Sequence, residues 1–302
     1  MPLNALVVYD QMPRILRDVA MSDWPIGIST GCYYRQSIFD CLPWIRDAGF
    51  TIIEVCSFPP HLDYHDLPLV RRAAARIQEL HLEPYSFHAP FADHIDITSL
   101  DGGMREQAVG EVMRAAEAAA ELGVRYFVIH PGPERSPIPA EERLWRKDRA
   151  ADALTRISRR CRELGPALVL ENMLPHLFFG HTHDVLWMLG AIRCVDVGIC
   201  LDTGHAHLSG DLSTVVHKLS GHLWMIHASD NYGERDDHYT PGRGRIDWAG
   251  LIAQLSRLRF EGSIILEIAG DDAGYVDLES ARRSRKYLHE LAGKQEVAAR
   301  FG

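Results

Sequence analysis

Eight short runs of apolar, largely β-branched residues recur along the chain, and the longer stretches between them carry a helical period. Few architectures accept that alternation. The runs fall at 26–29, 51–55, 84–87, 126–129, 168–170, 198–201, 223–226 and 263–266. Between them, 37–47, 105–122 and 148–164 read as helices, the second stopped by Gly123 and the third by Gly165 and Pro166. Alternating strands and helices predict a parallel sheet clothed in helices. Eight such units close most economically into a (β/α)8 TIM barrel of the α/β class, with its site at the C-terminal face. A doubly wound open sheet is the competitor, but the glycine fingerprint that should follow its first strand is absent from GISTGCYY. With 302 residues and no Pro/Ser-rich linker, the chain reads as one barrel over 25–292. Residues 1–24 are expected to form a leading helix across the barrel floor, and 293–302 a frayed tail.

Composition removes several classes of function. No apolar run reaches the roughly 20 residues of a membrane span, and Asp10, Arg14, Arg17 and Asp18 break up the N-terminal ALVV patch, so neither a span nor a signal peptide is expected. Six cysteines without a CxxC pair suit a reducing cytoplasm. A net charge of -9 argues against a broad nucleic-acid footprint. Sixteen histidines are the compositional oddity, and their positions carry the argument.

Six of the runs end in a metal-competent residue: SFHAP in His88, VIHPG in His130, LVLEN in Glu171, ICLDTGH in Asp202, MIHAS in His227 and ILEIA in Glu267. In a parallel barrel all strands open on one face, so these side chains converge on one mouth. His205 follows Asp202 by three positions, and Asp236 and His238 follow the seventh run in GERDDHYTPGRG. An isolated histidine at a strand end is ordinarily a hydrogen-bonded loop residue, and an isolated carboxylate a helix cap. Capping does not explain Glu171, Asp202, His227 and Glu267 ending four consecutive runs. Carboxylates crowded in a barrel mouth repel one another and lose hydration, so a divalent cation is the simplest compensation. Three carboxylates and an imidazole suit Mn²⁺, Mg²⁺, Co²⁺ or Zn²⁺. The histidine-rich remainder favours Zn²⁺ and leaves room for more than one ion.

The strings FHAPF, IHPGP, LEN, LDTGHAHLSGD, HASDNYGERDDHYTPGRGRIDW and LEI, in that order at strand ends, resemble the xylose isomerase-like TIM-barrel superfamily. The resemblance implies one of two chemistries. In the sugar or sugar-phosphate isomerases and epimerases, one divalent metal would sit on Glu171, Asp202, His227 and Glu267, with Glu171 and Glu267 also exchanging protons with substrate. In the branch of endonuclease IV, a phosphodiesterase acting at abasic DNA sites, a three-zinc cluster would add His88, His130, His205, Asp236 and His238, and every one of those positions is filled here. Against the DNA reading, APFADHIDITSLD puts Phe91 and the acids Asp93, Asp96 and Asp101 where the endonuclease pattern has a tyrosine and an INL turn, and acidic loops repel a phosphate backbone.

The sequence reading therefore prefers metal-assisted proton transfer on a sugar, keto-sugar or sugar phosphate through an enediolate. Glu171 and Glu267 act as the acid/base pair, and His205, His88 or His130 either orient substrate or bind further metal. Zinc-dependent cleavage of abasic-site DNA, dehydration of a keto-polyol and metal-dependent sugar binding without turnover are the alternatives. A small carbohydrate is the expected partner, with self-association allowed. Arg243 and Arg245 in PGRGRID can meet a substrate phosphate, although solvent-facing arginines are usual in such a loop. His61, His65, His181 and His183 read as solvated loop residues, and Trp145, Trp187, Trp224 and Trp248 as helix-to-barrel packing.

Overall fold

The computed structural model describes residues 24–134, 137–194, 196–270 and 276–301. Within them the eight strands are β1 (Ile26–Ser29), β2 (Ile52–Cys56), β3 (Glu83–His88), β4 (Tyr126–Ile129), β5 (Ala167–Glu171), β6 (Val197–Asp202), β7 (Leu223–Ala228) and β8 (Ser263–Leu266). They pair in sequence order, all parallel, and β8 returns to β1 through Ile26 opposite Ile264, which closes the barrel. The helices are α1 (Ile38–Asp47), α2 (Leu67–Glu79), α3 (Gly102–Leu122), α4 (Arg143–Leu164), α5 (Thr182–Ala191), the short α6 (Thr203–Leu208), α7 (Leu212–Leu219), α8 (Trp248–Arg257) and α9 (Leu278–Phe301). They pack an apolar layer between themselves and the strands.

The lumen is divided by height. Its lower part is filled by Tyr85, Tyr126, Val128, Val169, Cys200, Met225 and Ile265. Side chains alternate across a strand. The residue two beyond each of the last five inward-facing ones therefore also points inward, one layer nearer the mouth: His130, Glu171, Asp202, His227 and Glu267. The tripeptides VIH, VLE, CLD, MIH and ILE thus carry both core and site.

Two expectations are corrected. Residues 293–302 do not begin a frayed tail at Gly293, because α9 continues to Phe301 through AGKQEVAARF, a segment rich in strong helix formers. Trp145 does not pack against the barrel: it stands 59% exposed in the first turn of α4, whereas Trp248 is buried and Trp224 lies over Gly198 beside Tyr126. The leading helix expected before Trp24 lies outside the described residues. No described helix is long and apolar enough to cross a membrane.

Candidate metal centre

The mouth brings eight of the nine strand-end and loop residues together in three groups, and His130 joins them through Glu171. His88, Glu171 and His227 form one, Glu171, Asp202, His227 and Glu267 a second, and His205, Asp236 and His238 a third, with donor atoms in each group within 4.8 Å of one another. Glu171 is the hinge between the first two. Its Oε2 lies 3.1 Å from His88 Nε2 and 3.2 Å from His130 Nε2, while its Oε1 faces His227 Nδ1 at 3.3 Å. Glu267 Oε2 approaches the same His227 Nδ1 at 3.1 Å, yet neither atom has a hydrogen-bond partner. In the third group Asp236 Oδ2 lies between His205 Nε2 at 3.2 Å and His238 Nε2 at 3.0 Å.

Each imidazole has its other nitrogen held from behind. His88, His205 and His238 set Nδ1 against the backbone carbonyls of Ala89, Asn172 and Glu267 at 2.9, 2.8 and 2.9 Å. A carbonyl only accepts, so Nδ1 carries a proton, and Nε2, which faces a carboxyl group in the mouth, is the atom that can offer a lone pair to a metal once it sheds its own proton. His130 sets Nδ1 on Glu134, and His227 sets Nε2 on Glu54. Two further orphaned atoms, Asp202 Oδ2 and Asp236 Oδ1, belong to candidate ligands too. Oriented imidazoles and unpartnered buried oxygens in one mouth form a set of side chains that could hold metal ions.

Burial disfavours every charge here, and neighbours decide which groups keep theirs. Around His205, the carboxyl groups of Asp202, Asp236 and Glu171 outweigh burial and hold the imidazole up to about 9. His227 outweighs burial at Glu267 and holds that carboxyl down to about 2. At Asp202 burial prevails and pushes the carboxyl up to about 6 despite His205. Imidazole protons and a divalent cation are thus competing answers to the same buried negative charge.

The backbone explains why the loops hold their ligands. Asn172 clamps the end of β6, its side chain bonding both the N–H and the C=O of Asp202. Asp230 gathers the loop after β7: its carboxyl accepts the N–H groups of Asn231, Gly242 and Ile246 and the Trp248 indole at 2.8–3.1 Å. That loop carries Asp236 and His238, the latter at a left-handed φ of 46°. Sequence reasoning passes over Asn172, Asp230, Glu134 and Glu54. Glu134 is signalled only by its place four residues past His130.

Other sequence candidates stand apart from the ligand groups. Arg243 and Arg245 are exposed and lie over the rings of Tyr239 at 4.5 Å and Tyr232 at 5.8 Å. His61 is buried with both nitrogens engaged, on Gln36 O and Thr30 Oγ1, so it is not solvated as expected, and burial lowers its pKa to about 4. His65 pairs with Asp63 and Glu111 at the surface, and His181 stacks on His183 with both exposed. The acidic loop after β3 is less repulsive than its sequence suggests. Asp96 is buried on Arg146 at 2.9 Å and Asp101 caps α3, which leaves Asp93 as its exposed, uncommitted carboxyl group. Phe91, 52% exposed, lies against the rings of His88 and His130 at 5.2 and 5.0 Å.

A family model described as xylose isomerase-like TIM barrel matches residues 42–291. An uncharacterized protein of Methanocaldococcus jannaschii is 27% identical over 254 residues, covering 81% of this chain and 84% of that protein. A probable endonuclease 4 of Mycobacterium ulcerans is 26% identical over 200 residues, covering 62% of this chain and 74% of that one. Among solved structures, a D-tagatose 3-epimerase-like protein superimposes with a TM-score of 0.79 at 23% identity, covering 91% of this chain and 99% of that one.

Proposed function

The chain belongs to the xylose isomerase-like TIM-barrel family, and on that footing we propose that it is a divalent-metal-dependent enzyme hydrolysing phosphate esters at a centre of more than one ion. The observation that carries this reading is the split carboxyl group of Glu171, whose two oxygens face different sets of imidazoles, beside a third, fully oriented set on Asp236. Nine oriented donors exceed the four to six that one such ion accepts. The likeness to proteins named probable endonuclease 4 supports the same reaction class, and the buried Asp96–Arg146 pair removes one of the three charges that the loop after β3 sets against it.

When bound, divalent ions supply Lewis acidity toward a phosphoryl oxygen and toward water. The protein's part is to hold and to move protons. Glu171, 1% exposed behind His88 and His130, holds the two inner groups together. The Glu267 side chain, 23% exposed with Oε2 unpartnered, is the inner carboxyl group open to the mouth and the one able to exchange a proton with a ligand there. Phe91 walls the His88 side and excludes water from it.

Metal-assisted isomerisation, epimerisation or dehydration of a keto-sugar is the second reading. It is favoured by the accessible Glu267 and by the likeness to a protein titled D-tagatose 3-epimerase-like. One set of assays separates the two. Protein purified without chelators should hold two or three equivalents of metal and cleave bis(p-nitrophenyl) phosphate or an abasic DNA duplex. Glu267→Gln should lower kcat on the order of 10²- to 10⁴-fold with metal largely retained. One equivalent of metal, no phosphoester turnover and solvent deuterium entering a keto-sugar would transfer the assignment to the second reading.

A further inference from the structure

Glu54 is a carboxyl group at the centre of a barrel whose neighbouring layer is apolar. It is wholly buried on β2, its Oε1 has no partner, and its Oε2 accepts the Ser86 hydroxyl at 2.8 Å and faces His227 Nε2 at 2.9 Å. Strands β2 and β7 are not neighbours; β8 and β1 stand between them, so this contact spans the lumen. Packing does not call for an acid at that level, and an unpartnered buried oxygen is costly.

His227 is also the exception among the five imidazoles. His88, His130 and His205 turn Nε2 toward carboxyl oxygens of the centre, as does His238, whereas His227 turns Nδ1 toward Glu171 and Glu267. An oxygen that already accepts from Ser86 and lies 2.9 Å from Nε2 calls for a proton on Nε2, which leaves the lone pair on Nδ1. We propose that Glu54 is a positioning residue: from across the lumen it fixes the tautomer and ring orientation of His227, and so makes Nδ1 the donor atom shared by the two inner ligand groups. Ser86 in turn fixes the Glu54 carboxyl group. This rests on the metal-centre reading but not on the reaction assigned to it.

Two Glu54 variants and one wild-type measurement, assigned with a His227 variant, test the proposal, with zinc as the probe. Long-range ¹H–¹⁵N spectra of histidine-labelled, zinc-loaded protein, with the His227 signals assigned by their loss in His227→Gln, should show its proton on Nε2. Glu54→Gln keeps the shape and an acceptor and should weaken zinc binding, measured by chelator competition, by 10- to 100-fold. Glu54→Met removes the acceptor, should weaken it further and should scramble the tautomer, with partial rescue in the Gln variant distinguishing positioning from packing. A wild-type His227 carrying its proton on Nδ1 overturns the proposal even if neither variant folds. So do variants that hold zinc within twofold of wild type, and a wild-type protein that holds none. Zinc bound as expected without phosphoester turnover defeats the assigned reaction and leaves Glu54 in place.

Discussion

Asp202 divides two duties between two oxygens. Oδ1 accepts the His205 N–H at 2.6 Å and caps α6, whereas Oδ2 has no partner. The duties separate by substitution. Asp202→Asn keeps a capping oxygen and removes the charge that burial already pushes up to about 6. The metal-free variant should therefore be no less stable than wild type at pH 7, yet its zinc affinity should fall on the order of 10²-fold or more, beyond the usual cost of losing a group behind a ligand. Asp202→Ala should lose the metal and also about 0.5–2 kcal/mol of stability with the cap. Denaturant unfolding with and without chelator checks both. The sequence exposes Asp202 because it ends an apolar run, and the same rule is why Glu54 escapes notice. TIIEVC carries its acid in mid-run, where an inward carboxyl group contradicts the pattern of a buried strand. Only its parity, two residues after Ile52, which packs against the lumen cluster, marks it as facing the lumen.

At the scale of elements, the period of the apolar runs predicts β1, β4 and β8 to the residue, and the other strands with ends that move by one or two. At the mouth the shifts of β5 and β6 share a cause: these strands extend through Glu171 and Asp202, which pair with Cys200 and His227 on the next strand, so these candidate ligands are the last rung of the ladder. Loops are less legible, because their form depends on a hub remote from the motif it serves. Asp230 bonds groups up to 18 residues away, and nothing in HASDNYG announces that. Asp230→Ala strands four buried or half-buried donors at about 1–3 kcal/mol each where no water replaces the carboxyl group. The expected result is a protein destabilised by several kcal/mol that loses metal from the His205, Asp236 and His238 group while keeping the two inner groups. Metal content equal to wild type would show that the loop holds its ligands without this hub.

For the molecule as a whole, the net charge of -9 gives little hint of a mouth in which protons and cations compete for the same sites. The competition has a definite sign. In the metal-free protein the Asp202, Asp236 and Glu171 carboxyl groups outweigh burial and hold His205 up to about 9, against 6.5 for a free imidazole. A histidine whose folded pKa is raised stabilises the fold fully below its unfolded value and loses that contribution as pH rises through the folded one. The window is thus from about pH 6.5 to 9, and the stake on the order of 3 kcal/mol for this group. Asp202, raised to about 6, acts in the same sense, its contribution being lost as pH rises between about pH 4 and 6, so above pH 7 the histidine sets the slope. Bound metal reverses the dependence, because the imidazoles must shed protons to bind it and do so more readily as pH rises. Melting curves of chelated protein should therefore fall in Tm from pH 7 to 9.5, while those of zinc-saturated protein hold or rise. The separation should reach about 2.7 kcal/mol or more once free zinc is 100-fold above its Kd. Parallel curves for the two forms across that range would mean that proton and metal do not share these residues, and the centre would have to be drawn elsewhere.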